Sequence, residues 1–224
     1  MSFTLWALAL GMLVGVRHAF EPDHLAAVGT LVSDARSPLR AAWLGAAWGL
    51  GHTAALALVA GLLALLGATL PASAQRALEL GVAAMLLVLG VRGIVQAVLA
   101  HRRGPAFAHA HGGAAHAHGG EPSHLHVAGS TLALRPFVVG VVHGLAGSGA
   151  LTVLVTAAFT DVRARLAYVL CFGTGSVLGM ALISGLAGWP LARLARAPRT
   201  HRAFSVLVAL TAIVTGLVWG WRVV

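Results

Sequence analysis

The chain has 224 residues, 58% of them hydrophobic and 9% charged, with a mean hydropathy of +0.88. Soluble domains carry about 25% charged residues, so a water-soluble domain is excluded and an all-α, polytopic membrane helix bundle is expected. The formal charge of +9 invites a nucleic-acid reading, but the arginines cluster at the ends of apolar runs, so the expected partner is the lipid bilayer and not nucleic acid.

A spanning helix needs roughly 20 mainly apolar residues. In chain order the sequence predicts about six such spans, over 3–32, 41–67, 77–100, 136–159, 164–191 and 203–222. The first is long enough to kink or to hold two helical pieces. The first sixteen residues carry no positive charge, which argues against a secretory signal. The single cysteine, Cys171, falls inside the fifth span, reads as a small buried filler, and leaves neither an internal disulfide nor a cysteine-built metal cage.

Between the third and fourth spans, residues 101–134 break the pattern. AHAHGGA at 108–114 recurs as AHAHGGE at 115–121. This His/Gly/Ala segment has too little apolar bulk to pack a core and is expected to be a mobile linker. It divides the chain into a three-helix membrane half at 1–100, a His-rich loop at 101–134 and a second three-helix half at 135–224. The halves share a Gly-Val-x-His stretch, GVRHAFEPDHL at 15–25 and GVVHGLAGSGAL at 140–151. GLGHT at 49–53 faces FGTGS at 172–176 at nearly the same offset. Three spans per half make the second copy inverted, the plan of many transporters that bind near the membrane midplane.

Orientation follows from arginines near span ends. With the N-terminus outside, Arg36, Arg40, Arg102, Arg103, Arg135, Arg193, Arg196, Arg199 and Arg202 are cytoplasmic, while Arg76, Arg163, Arg165 and Arg222 lie outside. Nine against four predicts an N-out protein of the cytoplasmic (inner) membrane with a cytoplasmic His-rich loop. Small residues four apart (Gly11/Gly15, Gly45/Gly49, Gly140/Gly144, Gly175/Gly179) permit close helix approach, either inside the bundle or in a homo-oligomer.

The polar positions carry the chemistry. Ionisable groups at membrane depth are costly and usually mark an ion path. The first span holds His18, Glu21, Asp23 and His24; His52 falls in the second and His143 in the fourth. On a regular helix Asp23 lies about 140° from His18 around the axis, and His24 about 120° the other way. Pro22 changes this, because its ring clashes with the carbonyl of residue 18 and its missing N–H leaves that carbonyl free. The helix is expected to kink there and the backbone between His18 and His24 to unwind, letting the side chains converge, as broken helices lining a cavity allow. Arg17 and Glu21, four apart, could pair; Glu21 is otherwise an outer partner of a histidine or a direct ligand. Imidazoles with one or two carboxylates suit Ni²⁺, Co²⁺ or Zn²⁺, and spacing does not choose among them. The H-x-H pairs His109/His111, His116/His118 and His124/His126 are expected to bind divalent metal weakly and concentrate it near the pore.

These residues carry a resemblance. His18-Ala-Phe-Glu-Pro-Asp23-His24 resembles the H-x4-D-H signature helix of the nickel/cobalt transporter family, and LGHTAALAL at 50–58 resembles its second signature. HGLAGSGAL at 143–151 and FGTGSVLGM at 172–180 resemble the small urease-accessory-type branch of that superfamily. The resemblance implies a permease for Ni²⁺ or Co²⁺, with His18, Asp23 and His24 in the selectivity site and His52 beside them. The transported ion is the only metal expected, with no prosthetic group. Where larger members carry Asp and Glu in their fifth helix this chain reads HGLAGSG, so uptake and efflux both stay open. Two further readings are an intramembrane metalloenzyme, with Glu21 as base, and a metal-sensing membrane protein.

Overall fold

The computed structural model describes residues 2–33, 35, 37–102, 109–111, 114–116, 131–194 and 197–224. Among them are seven helices: α1 (Ser2–His18), α2 (Pro22–Val32), α3 (Pro38–Leu66), α4 (Ala72–Arg102), α5 (Thr131–Ala158), α6 (Val162–Leu194) and α7 (Pro198–Val223). Four contain stretches long and apolar enough to cross a membrane, Pro38–Leu63, Ala72–Leu99, Val162–Leu194 and Arg199–Val223; α1 and α5 contain the shorter apolar stretches Leu8–His18 and Leu134–Gly147. Large apolar side chains such as Trp6, Leu39, Leu58 and Trp221 point outward, an arrangement that water disfavours and lipid accepts.

Local signals set the helix boundaries. Ser37 caps α3 by accepting from the Arg40 N–H at 3.2 Å, and Pro38 sits in the first turn, where its missing N–H costs nothing. Gly67 ends α3 in the left-handed region at φ 61°, its N–H returning to the Leu63 carbonyl. Asp161 Oδ2 accepts from the Ala164 N–H at 3.1 Å at the start of α6.

The expected first span is two helices. Glu21 is extended (φ −64°, ψ 147°), as a residue preceding proline prefers, and Pro22 opens α2. The break is therefore a full interruption with Pro22 at a helix start, not a kink around a mid-helix proline. The carbonyl expected to be freed is taken up locally: the Glu21 N–H donates to the His18 carbonyl at 3.0 Å, and the Phe20 N–H to that of Arg17 at 2.9 Å.

Helices α3 and α6 form the central pair. Helix α5 packs along α3, α1 packs along α6, and α4 packs with α7; lighter contacts join α2 to α7 and α4 to α5. Exchanging α1/α2, α3 and α4 for α5, α6 and α7 leaves these pairings unchanged, while the lighter α2–α4 and α6–α7 contacts have no comparable counterpart among the described residues. The glycines repeat the relation at atomic scale. A Cβ on Gly15 would strike the Phe172 carbonyl and Ser176 nitrogen, and one on Gly140 would strike those of Trp48 and His52. Likewise Gly49 faces Val177 while Gly173 faces Thr53. All eight glycines in the four-residue pairs face neighbours within the chain, so internal packing already uses them.

The core is built of small residues around a few large ones: Ala19, Ala26, Ala27 and Ala41 with Trp48, Leu86 and Met180. Where the sequence predicts an irregular linker, His109–His111 and Ala114–His116 form a two-stranded antiparallel ribbon with His109 opposite His116. His118, His124 and His126 lie outside the described residues.

Candidate metal centre

The break between α1 and α2 brings the first-span side chains together. His18 closes α1, and Asp23 and His24 stand in the first turn of α2. His52 projects from α3, where α5 approaches closely enough for a Cβ on Gly144 to strike the His52 carbonyl. That approach seats His143, the residue before Gly144, beside it. Ring centroids lie 4.4 Å apart for His18 and His24, 4.2 Å for His24 and His143, and 5.2 Å for His24 and His52. Trp48 packs on His24 and His143, and Phe172 on His18, sealing the imidazoles with apolar rings.

Hydrogen bonds organise the cluster. Asp23 accepts from His24 Nδ1 at 3.1 Å and from His143 Nε2 at 2.8 Å. Glu21 lies 3.0 Å from His18 Nδ1, and the Nε2 atoms of His18 and His52 are 3.3 Å apart. One tautomer set satisfies all four contacts with neutral imidazoles. His24 and His143 donate to Asp23, His18 donates to Glu21, and His52 donates to His18. Each remaining nitrogen of His24 (Nε2), His52 (Nδ1) and His143 (Nδ1) then carries a lone pair. These three are buried atoms without a hydrogen-bond partner. A buried polar atom left unpaired costs stability, yet an unpaired imidazole nitrogen is what a metal ion requires.

Among the described residues, two groups each keep their potential ligand atoms within 4.8 Å of one another: His18, His24 and His52, and Asp23, His24 and His143. All five residues line one cavity of about 540 Å³, together with Glu21 and Pro22. The side chains of His24 and His143 are 1% and 3% exposed, that of His18 16% and that of Glu21 50%, so the cluster runs from a closed end to an open one.

The sequence-predicted residues His18, Glu21, Pro22, Asp23, His24, His52 and His143 thus meet at one place. The Arg17–Glu21 pair does not form. Helix α1 stops at His18, so residues 17 and 21 no longer share a helical face, and Glu21 turns to His18 instead. Of the two roles left open for Glu21, partner of a histidine or direct ligand, its contact with His18 has the geometry of the first. Sequence reasoning missed Glu79 of α4, Trp48 and Phe172 at this site. Glu79 had a signal: it is the one carboxylate in the apolar stretch Ala72–Leu99.

Comparison with known proteins fixes the family. The chain is 31% identical over 210 residues, 94% of its length, to the urease accessory protein UreH of Bacillus sp. (strain TB-90), covering 88% of that protein. The chain belongs to the UreH family of urease accessory proteins. No protein-family model matches it, and neither does a solved structure.

Proposed function

We propose that the chain is an integral-membrane permease for divalent transition-metal ions, carrying nickel or cobalt into the cell across the cytoplasmic membrane. The observation that carries this reading is the set of three buried, unpartnered imidazole nitrogens on His24, His52 and His143, lining one cavity with His18, Glu21 and Asp23. Kinship with a urease accessory protein supports nickel as the cargo, as does the nickel/cobalt-transporter signature from His18 to His24. In this reading His18, His24, His52 and His143 supply nitrogen. Asp23 holds two of the rings in their ligating tautomers, the carboxylate–histidine arrangement common around bound metals.

The same reading takes the bundle as six crossings in two inverted halves, α1–α4 and α5–α7, with a site where the halves meet. The exchangeable contact pattern and the reciprocal glycines support it, as does the origin of His143 in the second half. The matched glycines pair Trp48 and His52 with Phe172 and Ser176, one residue away from the offset expected of the sequence. Arginine distribution favours an outer N-terminus and a cytoplasmic loop whose histidines, among them His109, His111 and His116, concentrate the ion.

The test is flux into liposomes loaded with a metal-sensitive dye, comparing the wild type with His24→Ala. Wild-type flux that disappears in the variant is the expected result; metal binding without flux points to a sensor, and neither binding nor flux rejects the permease. Reversing the metal gradient separates uptake from efflux. A protonated imidazole ring has no lone pair to offer, so flux should fall on acidification.

A further inference from the structure

Carboxylates are scarce in this chain and unevenly placed. Among the described residues, Glu21, Asp23 and Glu79 line the cavity, whereas Arg17 is the one arginine that does so. A protein of formal charge +9 thus keeps an acidic hollow around its histidines. Two of the three carboxylates are engaged by imidazoles: Asp23 by His24 and His143, Glu21 by His18. Glu79 differs. Its bound neighbour is the neutral Gln75 amide, whose Nε2 donates to Oε1 at 3.0 Å, and it forms no ion pair among the described residues. An uncompensated carboxylate inside an apolar stretch is disfavoured in lipid and marks a functional position by default. The independent pointer to a cation is the trio of unpartnered nitrogens on His24, His52 and His143, side chains almost wholly buried and lining the same hollow.

We propose that Glu79 is a docking carboxylate that attracts the hydrated divalent cation into the cavity, before the imidazoles replace its water. The proposal rests on the permease reading. A hydrated cation presents water protons outward, which a carboxylate accepts without displacing them. Ammonium or guanidinium groups could not do this, and among the described residues Arg17 is the one cavity-lining group that opposes it. Gln75 orients the carboxylate while leaving its charge intact. A cleft of one sign with low-dielectric walls focuses its field and raises the local counter-ion concentration. Glu79 is therefore a positioning residue; the ligating work stays with the histidines.

The experiment uses the full chain in phosphatidylcholine vesicles, with Ni²⁺ flux as one readout and the visible absorption band of bound Co²⁺ as another. Glu79→Gln keeps shape and hydrogen bonding and removes the charge. It should raise the half-saturating Ni²⁺ concentration about 10-fold while maximal flux stays within about two-fold. It should also flatten the dependence of flux on KCl, because screening then has one charge fewer to act on, and leave the Co²⁺ band unchanged. Glu79→Asp should restore most of the half-saturation value. Asp161→Asn, a carboxylate change at the start of α6 outside the cavity, should alter neither readout. Unchanged half-saturation and salt dependence in Glu79→Gln overturn the proposal. A lost Co²⁺ band overturns it too, making Glu79 a direct ligand. Wild-type vesicles with neither flux nor band defeat the permease reading, and this proposal with it, before any variant is measured.

Discussion

The α1–α2 segment and α5 begin alike and end differently. Each has Gly-Val, one further residue and then histidine, and each packs its glycine against a helix of the central pair, Gly15 on α6 and Gly140 on α3. Past the histidine the first segment continues AFEPDH and breaks; the second continues GLAGSG and stays helical to Ala158. The difference shows what a broken helix adds. Helix α5 delivers one imidazole, His143. The interrupted segment delivers His18, Asp23 and His24 to the same point, although a regular helix would spread them around its axis. Pro22 is the cause, since it forces Glu21 into extended backbone and starts a new helix with Asp23 and His24 in its first turn. An early-turn carboxylate also suits the positive end of that helix.

Four measurements test what the interrupted segment contributes and α5 does not. The largest effect is expected from Asp23→Asn. An amide cannot accept both N–H donors as the carboxylate does, so His24 and His143 lose their fixed tautomers, and metal affinity by calorimetry in detergent should fall about 10- to 100-fold. A fall under two-fold would deny Asp23 its orienting role. Next comes Pro22→Ala, which permits Glu21 to become helical and the first segment to resemble α5. Metal flux should drop about 10-fold through misplacement of the ligands, within the loss that small displacements of a site can produce; unchanged flux would mean the break does not depend on proline. The third is a matched pair, Gly15→Ala and Gly140→Ala. Each added Cβ strikes backbone across the central helices, and overpacking typically costs about 1–3 kcal/mol. The two should lower the thermal midpoint in detergent by similar amounts if the halves are equivalent, and a harmless Gly140→Ala would sink that equivalence. The smallest effect is expected from deleting residues 105–128, which should shift the half-saturating metal concentration while leaving transport measurable. Complete loss in a normally inserted deletion would contradict a buffering role for the loop.

Many of the residues that line the candidate site stand out in the sequence because they break a rule. His18, Glu21, Asp23, His24, His52 and His143 are ionisable groups inside apolar runs, and such groups stand out wherever the surrounding solvent is hydrocarbon. Pro22 likewise announced a break by its covalent geometry. The Arg17–Glu21 pairing failed because it assumed helical spacing across that break. Glu79 went unnoticed because nothing in its neighbourhood of α4 shows that this wall faces the histidines. The pairing of His109–His111 with Ala114–His116 was missed since alanine is a poor strand former.

Composition alone determined that this is a helical membrane protein, because a backbone in lipid must satisfy its own hydrogen bonds and a long apolar segment does so as a helix. Local chemistry determined the interruption at Pro22 and the ends of α3. Only the tertiary structure decided which nitrogens remain unpaired, since that depends on His143 arriving from 120 residues away to share Asp23 with His24. Such a meeting is fixed by helices pressed together at their glycines, and no stretch of sequence contains both partners.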